Sequence, residues 1–301
     1  MAARLTALCA AAQALAWAQG DLKSILQRVS EEAEVFYREA PNVVGREVLR
    51  HSAVQGPSRF RPRIGAEALG PPVRKTLRRK IVSEYGYAAL REAPEALREF
   101  RQVVSVDGKQ VKAAEKARVQ LAQGMSSEDD RQRRRMLEEF ERYGMVGAAT
   151  DFGQVLLLFR RWALEDYDFT LEPGGGWIGP DRALPVRYRQ KDSGDSLHVF
   201  RGRELKRAPL TGEIWVRDSD FVPLRVTLRA EVNEDEQPVI YLAEVDYRDS
   251  RYGVLLPAGV LVRKQSASET VMENQYQYSE FRKFTVEAEI KFSPEEPPAE
   301  P

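Results

Sequence analysis

The chain has 301 residues, with lysine plus arginine equal to aspartate plus glutamate at 46 each. That balance argues against a dedicated nucleic-acid binder, which carries a strong basic excess. Hydrophobic residues make up 43% of the chain, too many for a disordered protein. Its one cysteine, Cys9, leaves no disulfide to staple the fold, so a core must hold it together.

The N-terminus reads as an export signal. Met1 to Arg4 supplies one positive charge, and Leu5 to Ala18 carries none. Ala16-Trp17-Ala18 then places small residues at the −3 and −1 positions before Gln19. A short basic start, an apolar run of roughly 7–15 residues and a small-x-small site predict a secretory signal over 1–18, and with it a periplasmic or secreted location. The run is too short to span a bilayer, which takes about 20 apolar residues. A buried N-terminal helix is the alternative. A lipoprotein signal is rejected, because Cys9 lies inside the apolar run behind Thr6-Ala7-Leu8. Residues 19–294 are expected to form one β-rich domain with a helical insertion at 112–161, and 295–301 a disordered tail.

Asp21 to Arg38 predicts an amphipathic helix, with Leu22, Leu26, Val29, Ala33 and Phe36 at three- and four-residue spacing. Ala40-Pro41-Asn42 stops it, and Val43 to His51 reads as a strand. Residues 54–80, basic and broken by Pro57, Pro62, Pro71 and Pro72, read as an irregular connection. Ile81–Leu90 and Glu99–Val106 look like strands, and Asp107-Gly108 is a hairpin turn leading to a return strand at Lys109. Lys112–Gln123 predicts a helix. Ser127 is expected to cap a second one that runs through Met136, Leu137, Phe140 and Tyr143 to Gly144. Asp151 would cap a third through Phe152, Val155, Leu156 and Phe159, with a strand over 154–159 as competitor.

From 164 to 292 strand follows strand, punctuated by Pro173-Gly174-Gly175-Gly176, Gly179-Pro180-Asp181, Asp192-Ser193-Gly194-Asp195 and Asn233-Glu234-Asp235. Leu224, Val226, Leu228, Ala230 and Val232 alternate with Arg225, Thr227, Arg229 and Glu231. Phe284 to Phe292 alternates in the same way. Such patterning means antiparallel strands with one buried face.

Catalytic constellations are nearly absent. His51 and His198 lie far apart and read as two unrelated histidines, with a carboxylate-completed metal site as the sharper alternative. Gly174-Gly175-Gly176 lacks the following Lys and helix of a phosphate loop and reads as a turn. The basic stretch 59–80 reads as a solvated connection, against contact with lipid headgroups, lipopolysaccharide or an acidic partner. Arg131-Gln132-Arg133-Arg134-Arg135, opposed by nearby acidic residues, reads as a salt-bridged helix face.

Gly212-Glu213-Ile214-Trp215-Val216, followed by Phe221-Val222-Pro223-Leu224-Arg225, resembles a pattern of the periplasmic outer-membrane lipoprotein carrier superfamily. Val245-Asp246-Tyr247-Arg248 with Gly253–Pro257 is similar to its next hairpin, and Tyr278–Phe284 to many exported bacterial proteins. The resemblance covers about the last third of the chain. It implies a strongly curved antiparallel half-barrel packed against helices, with an interior that holds acyl chains. The chain departs from the carriers in length and in the 54–80 and 112–161 insertions, and none of its arginines matches the one that latches the carriers' lid.

The expected fold is therefore α+β, a curved antiparallel β half-barrel covered by amphipathic helices. The expected function is non-enzymatic binding of an apolar ligand, a lipid or the acyl part of a lipoprotein, with no cofactor and no metal. Trp215, Leu224, Val226, Leu228, Val245, Tyr247, Phe284 and Val286 would line the wall. The alternatives are an envelope scaffold or interaction protein with a fully packed core, and a hydrolase using carboxylates.

Overall fold

A computed structural model describes residues 2–55, 74–143, 151–191, 198–201, 204–207, 209–234, 237–267 and 269–284. Helix α1 (Ala2–Glu39) leads through a single 3-10 turn at Ala40–Asn42 into β1 (Val43–Gln55). Then come β2 (Lys75–Leu90), β3 (Ala93–Val106), β4 (Lys109–Gln110), α2 (Ala114–Ser126) and α3 (Asp130–Glu141). After 3-10 turns at Val155–Phe159 and Leu164–Asp166 follow β5 (Tyr167–Leu171), β6 (Gly176–Ile178), β7 (Asp181–Gln190), β8 (His198–Arg201) and β9 (Glu204–Arg207). The last strands are β10 (Leu210–Arg217), β11 (Pro223–Glu234), β12 (Gln237–Asp249), β13 (Leu255–Ser266) and β14 (Glu269–Lys283).

Twelve strands make one open antiparallel sheet in the order β4-β3-β2-β1-β14-β13-β12-β11-β10-β7-β5, with β6 also on β7. The N-terminal strand β1 lies between β2 and β14 and so joins the two ends of the chain. The sheet is strongly curved. Phe36 of α1 sets its ring edge-on to both Tyr87 of β2, at 5.2 Å, and Tyr247 of β12, at 6.4 Å. Those strands are four places apart, about 19 Å in a flat sheet at the usual strand spacing, and one phenyl ring cannot bridge that. The sheet curls around α1.

Alternation decides what faces the hollow. Leu49 and Ala53 of β1, Val226 and Leu228 of β11, and Val239, Tyr241, Ala243, Val245 and Tyr247 of β12 all point inward and are buried. From α1 the stripe Ile25, Val29, Ala33 and Phe36 is fully buried against them. Burial of each large side chain contributes roughly 1.5–3 kcal/mol. The stripe is led by Ile25, while Leu26 is only half-buried. The two are adjacent apolar residues about 100° apart around a helix, and tertiary packing chooses between them.

Four other expectations need correcting. Residues 75–80 are not loop: Lys75–Lys80 pair with Gln55–Arg50 as the first half of β2. Their basic side chains suit a strand end whose residues are mostly exposed. The chain after Ser127 starts its helix at Asp130, since Asp129 Oδ1 accepts the Arg131 N–H at 2.9 Å while Ser127 Oγ only accepts from Asp129. Residues 155–159 form neither an α-helix nor a strand but one 3-10 turn. Finally, α2 and α3 do not cover the hollow. They pack on the outer face of β2 and β3 through Leu121, Met125 and Met136 against Val44, Ala88, Phe100 and Phe284.

Asp107 and Gly108 have φ of 51° and 80°, the mirror-image turn expected of that dipeptide. The predicted signal stretch is helical and continuous with the rest of α1, and the side chains of Ala16, Ala18 and Gln19 lie outside the described residues. Gly144, Val286, Ala288, Ile290 and Phe292 also lie outside them. No helix among the described residues is long and apolar enough to cross a membrane.

Candidate functional site

The same alternation that points valines and leucines inward also points charges inward. On β1 the position before Leu49 on the inner face is Glu47, and on β3 the inner face carries Leu97, Glu99, Arg101 and Val103. Glu47 and Glu99 are 0% and 2% exposed, and Arg101 is 4% exposed. Burying an ion costs several kcal/mol even after relaxation, so each of these groups needs partners.

They have them. Arg101 grips Glu47 in a bidentate pair, Nε to Oε1 at 2.9 Å and Nη2 to Oε2 at 2.8 Å. Its Nη2 also donates to Glu99 Oε2. The guanidinium lies between the rings of Tyr85 and Tyr276, 5.4 and 5.7 Å from their centroids. Tyr85 donates its hydroxyl to Glu99 Oε1 at 2.9 Å and sits 2.5 Å from the Tyr87 hydroxyl.

Glu99 then reaches off the sheet. Its Oε1 accepts the Gly153 N–H at 2.7 Å, and its Oε2 the Asp151 N–H at 3.0 Å. From the opposite wall, Tyr247 donates to the Gly153 carbonyl at 3.0 Å and accepts the Leu156 N–H at 3.0 Å. A Cβ on residue 153 would stand 2.6 Å from Glu99 Oε1 and 2.7 Å from the Tyr87 hydroxyl, so only glycine brings the backbone this close. These bonds are why the apolar run at 155–159 closes into a tight turn. Its backbone is held at two points by opposite walls of the hollow before a helix can propagate. Phe152, Val155, Leu156 and Phe159 are thereby buried beside α1.

Burial pushes the Glu99 carboxyl from 4.5 up to about 7, against the pull of Arg101 and with Asp151 and Glu47 adding to the rise. Burial likewise raises the hydroxyls of Tyr85, Tyr87 and Tyr278 well above the phenol range, so they remain neutral donors. Among the described residues, Glu47, Arg101, Asp151 and the hydroxyls of Tyr85, Tyr87, Tyr247, Tyr276 and Tyr278 are ionisable groups around Glu99. A carboxyl that holds its proton more tightly when folded stabilises the fold fully below about pH 4.5 and loses that contribution as pH rises through 7, about 3 kcal/mol at 1.36 per unit. In Glu99→Gln the decline in urea midpoint between pH 5 and pH 8 should flatten. Parallel pH profiles for variant and parent would show that Glu99 does not titrate there.

Of the predicted wall, Val226, Leu228, Val245 and Tyr247 line the hollow, and Leu224 is buried on the same strand face. Trp215 does not join them. It faces outward over Gly176, and its Nε1 donates to Glu213 at 3.0 Å. Phe284 packs beneath α2 on the outer face. His51 is buried, with Nδ1 2.6 Å from Asn274 Oδ1, while the His198 side chain lies outside the described residues. No metal-binding cluster occurs among the described residues.

Sequence reasoning missed Glu47, Glu99, Arg101, Tyr85 and Tyr87, while Tyr247 was among the predicted wall. Their signal was present in Leu97, Glu99, Arg101 and Val103, two charges sharing a strand parity with two core residues.

No family model matches the chain, and no curated protein does. The chain is similar to a solved structure. That crystal structure is of a LolA superfamily protein from Nitrosomonas europaea, matched over 86% of this chain and 93% of that one at 10% identity and a TM-score of 0.30. A likeness so distant adds no weight to the functional reading, which rests on the geometry above.

Proposed function

We propose that this protein is a non-enzymatic envelope protein that binds an apolar ligand, a lipid or acyl chains, in the hollow of its curved sheet. In the closed chain that hollow is filled by α1 and by residues 152–159. The reading is carried by the manner in which the filler is held. Apolar side chains could close the hollow at no net cost, because a buried ion pair contributes little or nothing beyond well-packed apolar groups. Instead the segment is pinned by hydrogen bonds to Glu99 and Tyr247, whose partners can all be taken over by water. Such a contact closes a site reversibly.

The energies are of comparable size. Uncovering four large side chains of the segment costs roughly 6–12 kcal/mol, and an acyl chain of about 16 carbons returns roughly 13 kcal/mol on burial. The ligand would meet Val226, Leu228, Val245 and Tyr247, and the chemistry is burial alone, with no covalent step.

The filled hollow also favours a second reading, an envelope scaffold with a permanently packed core. Arg160 of the segment ion-pairs with Glu95 at the edge of β3, at 3.5 Å, which offers a handle. In a Cys9→Ser background, Arg160→Cys and Glu95→Cys are bridged with a short bismaleimide. The uncrosslinked protein should raise the fluorescence of an apolar dye, and the crosslinked protein should not. A dye that responds to neither form supports the scaffold.

A further inference from the structure

The segment that fills the hollow carries a carboxylate of its own to the edge of the sheet. Asp151 has φ of 70°, a left-handed conformation that costs a non-glycine residue on the order of 1 kcal/mol. This backbone lets Asp151 donate its N–H to Glu99 while its side chain turns toward β3. There Oδ2 accepts from Arg98 Nε at 2.6 Å, and Oδ1, buried and without a hydrogen bond, faces Arg101 Nη1 at 3.7 Å.

Two guanidiniums on one strand thus converge on a carboxylate that does not belong to the sheet. Glu47 differs, because it sits on β1 and stays with Arg101 whatever the segment does. Asp151 leaves when the segment leaves. We propose that Arg98 and Arg101 receive the acidic head group of an amphiphile, a carboxylate or a phosphate, in the place that Asp151 fills in the closed chain, with the acyl tail running into the hollow. The proposal rests on the binding reading above and names its ligand class.

The local charges agree with it. When the segment withdraws, the Asp151 carboxylate leaves with it, and Arg98 loses the acceptor that Asp151 Oδ2 supplies at 2.6 Å in the closed chain. Arg101 keeps Glu47, and the anionic head takes the place of the Asp151 carboxylate between the two guanidiniums.

The test compares ligands of equal tail and different head: oleate, oleoyl lysophosphatidate and oleyl alcohol, titrated into the full-length protein at pH 7. At least one acid should bind about tenfold or more tightly than the alcohol, the worth of a charge-assisted pair of hydrogen bonds. Whichever acid binds more tightly identifies the source, a free fatty acid or a phospholipid. Arg98→Gln, at a residue with a third of its side chain exposed, should bring acid and alcohol to equal affinity. Asp151→Asn, which removes the internal competitor, should tighten acid binding severalfold. Equal affinity for acid and alcohol, or an Arg98→Gln protein weakened equally toward both, would overturn the head-group assignment and leave the binding reading standing. If no ligand binds, both fall.

Discussion

Replacing Arg101 with leucine should cost about 3–5 kcal/mol of folding stability, the loss expected when one partner of a buried ion pair is removed. Glu47 and Glu99 would be left facing each other inside the hollow with only tyrosine hydroxyls and backbone donors for company. The charged form of Glu99, already disfavoured by burial, would then lose its cation, so the deficit should shrink as pH falls and Glu99 takes up a proton. Urea unfolding of parent and variant at pH 5 and pH 8 reads this directly. The partner experiment removes all three charges, as Glu47→Leu, Glu99→Leu and Arg101→Leu together. That protein should regain most of the lost stability, because apolar groups of similar volume replace a buried ionic cluster at little cost. It should also lose the pin on residues 151 and 153. A triple variant as unstable as Arg101→Leu alone would show that the cluster stabilises the fold outright rather than closing a site.

The second large effect belongs to Phe36. It is fully buried and sets its ring against both Tyr87 and Tyr247, the two walls of the hollow. Truncation to alanine should cost about 3–5 kcal/mol in denaturant unfolding, since the walls are fixed by hydrogen-bonded strands and cannot collapse onto the gap. The remaining space is apolar and would stay dry. An apolar ligand should therefore restore much of the lost stability to Phe36→Ala, raising its melting temperature more than that of the parent. A variant whose melting temperature ignores every apolar ligand would show that this part of the hollow does not accept them.

How much of this was legible in the chain depends on how many faces of an element are buried. In β11 one face is wet, and Arg225 to Glu231 alternate so cleanly with the core residues that orientation and burial follow from sequence alone. Asp107-Gly108 was equally plain, because few dipeptides tolerate two positive φ angles in succession. β3 was not, since both of its faces are covered, the inner by the hollow and the outer by α2. Beyond their strand parity, nothing in the sequence therefore separates Glu99 and Arg101 from ordinary solvent-facing charges next to Phe100. Trp215 misled for a related reason. A large aromatic residue between Ile214 and Val216 looks like core, yet parity puts it on the outer face. The turn at 155–159 was beyond local reasoning, because it is set by Glu99 and Tyr247, far away in sequence and on opposite walls.

The segment pinned by Glu99 and Tyr247 is expected to open without unfolding the sheet and to yield its place to a ligand. Native-state hydrogen exchange measures this directly at two amides, Gly153 N–H on Glu99 and Leu156 N–H on the Tyr247 hydroxyl. Both should exchange through an opening far less costly than that of the β12 amides, and oleate should speed them further while β12 stays protected. Exchange of both amides in step with β12, at the global unfolding free energy and indifferent to lipid, would contradict it.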